Sequence, residues 1–341
     1  MPKLYDLGIQ AQIQLNNVEN EKIYLQKPYD TLNFFRTTYN IIDFILKCDN
    51  AERTLLAEKG KKMKFHKNNR TLLHHYFTNL NAAGRYYYKH QQFDDVILVM
   101  DKLLEIPKMA IWGDDKSFIA SKTYTDNVFI FQHSSFIKNK FENVCKYKDI
   151  TLSDTTHRRY YIEMLSLTAE ATHDTLEYLK NLELGLKYYP TYPMFFSRLV
   201  DYYNSKGNYE KSLLLADSLL NHYCTNLLFL ESKSLSLLNL QKNQESIQTS
   251  LYTLKINPSA IESLYYIGVA YCNLAQNITL PLNFNSKEYK SLSEKQKSYY
   301  QMALPYIEKY RNLCPEQKLK WGPLLYRIYL SLNKGKEFDE I

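Results

Sequence analysis

The chain has 341 residues, 45% of them hydrophobic, with only 9 glycines and 10 prolines. That is enough apolar material for a substantial core and too little turn chemistry for a loop-rich or all-β protein. The net charge of +7, from 43 Lys and Arg against 36 Asp and Glu, is small and dispersed, unlike a nucleic-acid surface, where basic residues are dense and interleaved with stacking aromatics.

At the start, residues 1–60 read as a helical pair. Residues 4–11 form the first helix and 28–47 the second, with Leu32, Phe35, Tyr39 and Phe44 on one face and Pro28 suited to the first turn. The polar stretch 16–26 reads as an insert between them. Lys61, Lys62, Lys64, His66, Lys67 and Arg70 follow as a basic run, expected as a solvated loop or helix end. His74 and His75 are adjacent, so on a helix they diverge by about 100° and cannot share a metal as an i, i+4 pair can.

Residues 77–107 form the next unit. Ala83-Gly84 and Tyr87 stand before the turn pattern Gln92-Phe93-Asp94-Asp95, and Met100, Leu103 and Leu104 complete a second helix. Asp94-Asp95 and Asp114-Asp115 could mimic an acid pair. Both are expected beside helix starts, where carboxylates favour the positive end of the dipole. Residues 117–148 give an irregular helical pair around Phe129, Phe131, Phe136 and Phe141, with a short β-like excursion left open.

From residue 159 a period emerges. Pro190, Cys224 and Pro258 stand at equal 34-residue steps, the length of one helix-turn-helix repeat. The unit 159–192 carries Leu165, Leu182 and Gly185. In 193–226, Phe196, Leu199 and Tyr203 share a face, Gly207 is placed for a left-handed cap, and small Ser212 and Ala216 let the second helix approach. The unit 227–260 repeats this with Leu230 and Leu237, then Ser246, Ser250 and Thr253. The unit 261–317 begins with Leu264, Ile267-Gly268 and Tyr271 and resumes at Ala303 and Ile307, leaving 276–297 as an insert. Residues 318–341, with Trp321, Leu324, Leu325 and Ile328, form a capping helix and a polar tail. The expected fold is all-α: a right-handed superhelical α-solenoid over the whole chain.

These repeats resemble the tetratricopeptide (TPR) family. The signature lies in Tyr202-Tyr203-Asn204-Ser205-Lys206-Gly207-Asn208-Tyr209-Glu210-Lys211-Ser212 and in Leu264, Gly268 and Tyr271. The tyrosine-rich units, the split late repeat and Met302-Ala303-Leu304-Pro305-Tyr306 resemble TPR proteins of Bacteroidales-type bacteria. That resemblance implies a protein- or peptide-binding scaffold with a concave groove built from first helices. It also implies an envelope location after signal-peptide removal, with the cytoplasm as the alternative. Some TPR proteins clamp a partner's C-terminal carboxylate with cationic groove residues. The corresponding places here hold Glu163, Leu167, Ser197, Asp201, Glu231 and Leu235, so this groove reads as mixed acidic and apolar. Groove-facing places on the first helices of the three central repeats are Arg198, Asp201 and Asn204, then Glu231 and Asn239, then Tyr265 and Asn273, the expected partner-binding residues.

No phosphate loop, HExxH, GxSxG or EF-hand spacing occurs. His133, His157, His173 and His222 have no nucleophile or carboxylate at a telling spacing. Neither catalytic residues, metal ligands nor cofactor are expected. Cys48, Cys145, Cys224, Cys272 and Cys314 are scattered without metal spacing and read as small hydrophobes more than a disulfide framework. No apolar run reaches the ~18 residues needed to span a bilayer. The functional alternatives to the scaffold are a helical-repeat nucleic-acid binder and an uncharacterised enzyme.

Overall fold

The computed structural model describes residues 1–338, so the last three residues of the expected tail lie outside the described residues. Secondary structure among the described residues is entirely helical, with no strand. No helix there is long and apolar enough to cross a membrane. Two compact units are described in turn, Met1–Gly185 and Leu186–Ile341.

The first unit opens with α1 (Pro2–Tyr24) and α2 (Thr31–Lys59), followed by α3 (His66–Lys89) and α4 (Phe93–Glu105). After a 3-10 turn come α5 (Lys122–Ile137), the short α6 (Phe141–Cys145) and α7 (Lys148–Ser153), then α8 (Arg158–Ala171) and α9 (Thr175–Tyr188), whose end passes into the second unit. From α1 to α5 each helix packs on the next. Their shared core holds Ile42 and Ile45 of α2, Leu80 of α3, Met100 of α4 and Phe131 of α5, all fully buried.

The stretch 16–26 is not an insert, because α1 continues through Tyr24. Its buried face is polar rather than apolar. Fully buried Asn16 donates through Nδ2 to the Phe34 carbonyl (3.0 Å), and nearly buried Glu19 accepts from the Asp30 backbone N–H (2.9 Å). Nor does Pro28 start the next helix: Asp30 is the N-cap of α2 and accepts from the Asn33 N–H at 2.9 Å. The basic run covers the α2–α3 connection and the start of α3, and acids of α2 hold it. Glu52 accepts from the Phe65 N–H (3.0 Å), and His66 Nδ1 lies 2.6 Å from Asp49. Asp94 and Asp95 occupy the first turn of α4 as expected. Asp114 and Asp115 do not mark a helix start; they lie in the loop before α5, where Asp115 Oδ1 accepts from the Ser117 N–H (2.8 Å). Residues 117–148 contain α5 and α6 with no β excursion.

The second unit contains α10 (Pro193–Ser205), α11 (Tyr209–Leu220), α12 (Leu227–Asn239), α13 (Asn243–Ile256), α14 (Ile261–Gln276), α15 (Lys287–Leu313), α16 (Lys318–Leu332) and the short α17 (Gly335–Phe338). Here too each helix packs on its successor. Ser212, Ala216, Ser246, Ser250, Thr253 and Ala303 are all fully buried on second helices, which is why those helices approach their partners closely. About half of the expected insert 276–297 is helix. Ser286 caps α15 by accepting from the Tyr289 N–H (3.0 Å), and α15 then runs for 27 residues, through the place where a repeat's second helix begins.

The hairpin turns share one geometry. The N–H groups of Asp174, Asn208 and Lys242 donate to the carbonyls of Ala169, Tyr203 and Leu237, each at 2.9 Å and each one 34-residue step after the last. This is the Schellman closure of a helix, which needs a left-handed residue just inside it. His173 (φ 58°), Gly207 (φ 67°) and Gln241 (φ 59°) fill that place. Only glycine takes it without a Cβ penalty. Gly207→Val is therefore expected to destabilise by about 1 kcal/mol or more, and Gln241→Gly to stabilise by roughly 0.5 kcal/mol. Urea unfolding of both variants checks the pair; equal midpoints would show that the shared turn geometry carries no strain.

Candidate functional site

None of the seven sequence-derived residues is buried, and several of them bond to their own or neighbouring helices. Asp201 is exposed, and Arg198 is partly buried and engaged. Asn204 Oδ1 accepts from the Ser212 hydroxyl of α11 at 2.7 Å, and Asn273 Nδ2 donates to Asn243 Oδ1 of α13 at 3.0 Å. Both asparagines therefore tie neighbouring helices together, because an amide that reaches a neighbouring helix gains a partner there. Asn239 folds back on its own helix, donating to the Leu235 carbonyl (2.9 Å).

Glu231 and Tyr265 do fall into one neighbourhood. They stand one 34-residue step apart, on the alternate helices α12 and α14. Around them gather Glu262 and Tyr266 of α14 and Lys320 of α16, three residues that the repeat signature did not single out. Asn226 fixes the start of α12 by accepting from the Phe229 N–H (3.3 Å). Glu262 lies in the first turn of α14. The Lys320 ammonium pairs with Glu262 at 3.5 Å and lies 5.5 Å above the Tyr265 ring. Tyr265 also packs 5.1 Å from Tyr310 of α15, so it is as much a wall of the core as a surface group.

Glu231 is the unusual member. Its carboxylate is half-buried and makes no hydrogen bond or ion pair with any described residue. Burial, and then the Glu262 charge, push its carboxyl above the ordinary range. Burial likewise pushes up the phenols of Tyr265 and Tyr266, with the Glu262 charge adding to both. The result is a partly dry carboxylate that shares its surroundings with Glu262 and Tyr266, while the Lys320 ammonium is paired with Glu262. Such a group gains most from an incoming hydrogen-bond donor that carries positive charge.

The first unit holds a second polar cluster that spacing alone did not disclose. His157, for which sequence spacing singled out no carboxylate, lies with Nε2 3.1 Å from Asp126 and 3.8 Å from Asp154. The three could offer metal-ligand atoms within 4.8 Å of one another. Lys122 already spans both carboxylates, at 3.1 Å from Asp126 and 2.9 Å from Asp154. Burial acts to raise both carboxyls, yet hydrogen bonds from Lys122, and from His157 to Asp126, hold them below the ordinary range. The His157 ring stacks 4.1 Å from Phe129, which fixes its plane. This knot ties α5 to the α7–α8 junction. A cleft of about 710 Å³ along α4 is similarly crossed by paired charges, Lys146–Asp101 at 3.0 Å among them.

No protein family matches the chain, and no curated protein does. Among solved structures, the chain is similar to the TPR2AB domain of yeast Sti1 in its complex with pHSP90, at 11% identity and a TM-score of 0.30, over 74% of this chain and 98% of that one. The all-α repeat fold rests on the chain's own helices.

Proposed function

We propose that the chain is a non-enzymatic protein-interaction scaffold, and that the α12–α14–α16 face of the second unit receives a basic segment of a protein partner. The observation that carries this reading is the half-buried carboxylate of Glu231, which has no hydrogen bond or ion pair among the described residues and lies near Tyr266. A lysine, an arginine or an amino terminus would supply the missing charge, with the alkyl stem of a side chain lying along Tyr265. The same acidic face disfavours phosphate, and so counts against the nucleic-acid alternative. An envelope location belongs to this proposal as an expectation that cell fractionation checks.

The test is fluorescence anisotropy with labelled basic, neutral and acidic peptides of equal length. Basic peptides are expected to bind and to weaken with added salt. Glu231→Gln should reduce that binding by about tenfold or more. Stability should move the other way. A carboxyl whose folded pKa is raised favours the fold while protonated, and that contribution is lost as pH rises through the raised value. Glu231→Gln should therefore melt higher than the wild type at pH 7, with the gap closing below the unfolded carboxyl pKa. Binding of neutral or acidic peptides as tight as that of basic ones, or unchanged affinity in Glu231→Gln, would defeat the reading.

A further inference from the structure

The outer face of α1 carries an apolar stripe that no described residue covers. Leu4, Leu7, Leu15 and Val18 are each more than half exposed, and Ala11 between them is also exposed. The opposite face of the same helix, with Ile9, Asn16 and Glu19, is buried. Four large apolar side chains aligned on one solvent face are more than scattered surface hydrophobes.

The stripe is symmetric about Ala11. Leu4 and Val18 lie seven residues on either side of it, and Leu7 and Leu15 lie four on either side. A two-fold axis through Ala11, perpendicular to the helix, would set Leu4 against the partner's Val18 and Leu7 against the partner's Leu15. It would put the small Ala11 side chain at the crossing point, where two helices approach most closely. Self-complementarity of this kind is what an isologous dimer contact requires. The flanking charges select the direction. Lys3 and Glu21 are eighteen residues apart, five helical turns, and so stand on the same flank at opposite ends. Both are exposed, and neither has an ion-pair partner among the described residues. Antiparallel pairing brings Lys3 to the partner's Glu21 twice, with Gln10 and the partner's Gln14 between. Parallel pairing would keep Lys3 and Glu21 at opposite ends of the contact, roughly 27 Å apart along the axis.

We propose that α1 is a self-association surface, and that two copies of this chain dimerise through antiparallel α1 helices about a two-fold axis at Ala11. The stripe spans roughly 21 Å of helix, below the extent of a standard stable interface, so association is expected at concentrations on the order of tens of micromolar. This contact is independent of the α12–α14–α16 face.

Sedimentation equilibrium of the full chain decides it. The wild type should pass from monomer to dimer as concentration rises. Ala11→Glu, which places two like charges on the axis, should remain a monomer with an unchanged melting temperature. Lys3→Glu and Glu21→Lys should each weaken the dimer about threefold or more, and the double swap should restore it. A wild type that stays monomeric at about 200 µM, a dimer indifferent to Ala11→Glu, or a double swap that fails to restore association would each overturn the proposal. A monomeric wild type whose melting temperature falls on Ala11→Glu would show instead that the chain itself covers the stripe.

Discussion

Gly268→Val is expected to destabilise the second unit by about 3 kcal/mol, the upper end of what overpacking a core produces. Gly268 is buried on α14 where α15 crosses it, and a Cβ there would overlap Cδ1 and Cγ1 of Ile307. Ile307 has no room to retreat: it is fully buried beside Leu264, Ala303 and Tyr310. The crossing distance is therefore set by the absence of a side chain at 268. Because the glycine lies inside a helix, where alanine would be preferred by about 1 kcal/mol, its presence points to packing rather than local conformation. The check is a double-mutant cycle. Gly268→Ala should be unfavourable in the wild type and harmless or favourable once Ile307→Ala has opened space, a coupling of about 1–3 kcal/mol by urea unfolding. Additive effects would mean that the two helices do not meet at this point.

The fold was legible wherever burial and helix period agreed. Small Ser212, Ala216, Ser246 and Ser250 announced close helix pairs, and all four are fully buried. The left-handed place at Gly207 was readable because glycine declares it. The same backbone at His173 and Gln241 was not, since nothing in those side chains signals positive φ. The misread inserts have a common cause. In the later half of α1 the buried residues are Asn16 and Glu19, whose hydrogen bonds to α2 and to the turn before it replace apolar burial. In α15 the first three turns are rich in Lys, Ser and Glu and mostly solvent-facing, so their composition reads as a loop although Ser286 caps a helix there.

The candidate site was legible only in part. Glu231 and Tyr265 occupy the same register position in consecutive repeats, and that equivalence brought both into view. Asn204 and Asn273 stand on first helices too, but an asparagine can turn sideways into a seam, and a one-dimensional pattern does not show which way it turns. Lys320 was hidden because 318–341 read as a cap, although α16 continues the alternation of α12 and α14. His157 and Asp126 are 31 residues apart, and only the packing of α8 on α5 brings them together. The engaged ring of Tyr265 also means that its replacement by alanine would test the core along with the surface.

Gln132→Leu should loosen residues 138–157 by about 2–4 kcal/mol, the consequence of leaving buried polar groups without partners. This stretch departs most from the repeat: α6 and α7 are only 5 and 6 residues long, and Tyr147 between them sits at φ 61°. Such short helices do not persist alone, so side chains of neighbouring elements must hold them. Gln132 of α5 is fully buried and spans both. Its Nε2 donates to the Lys146 carbonyl at 2.5 Å, and its Oε1 accepts from the Thr151 hydroxyl at 2.7 Å. Tyr147 adds a hydrogen bond from its hydroxyl to Glu105 of α4, and the Lys108 ammonium covers its ring at 4.3 Å. Leucine would keep the volume at 132 and strand the Lys146 carbonyl and the fully buried Thr151 hydroxyl. Hydrogen exchange should rise across α6 and α7 well before α3 or α4 responds, because the loss is local. Thr151→Val should be costly in the wild type and nearly neutral beside Gln132→Leu, since the second change removes a hydroxyl already without a partner. Uniform exchange across the first unit, or additive costs in that cycle, would show that the segment is held by something other than Gln132.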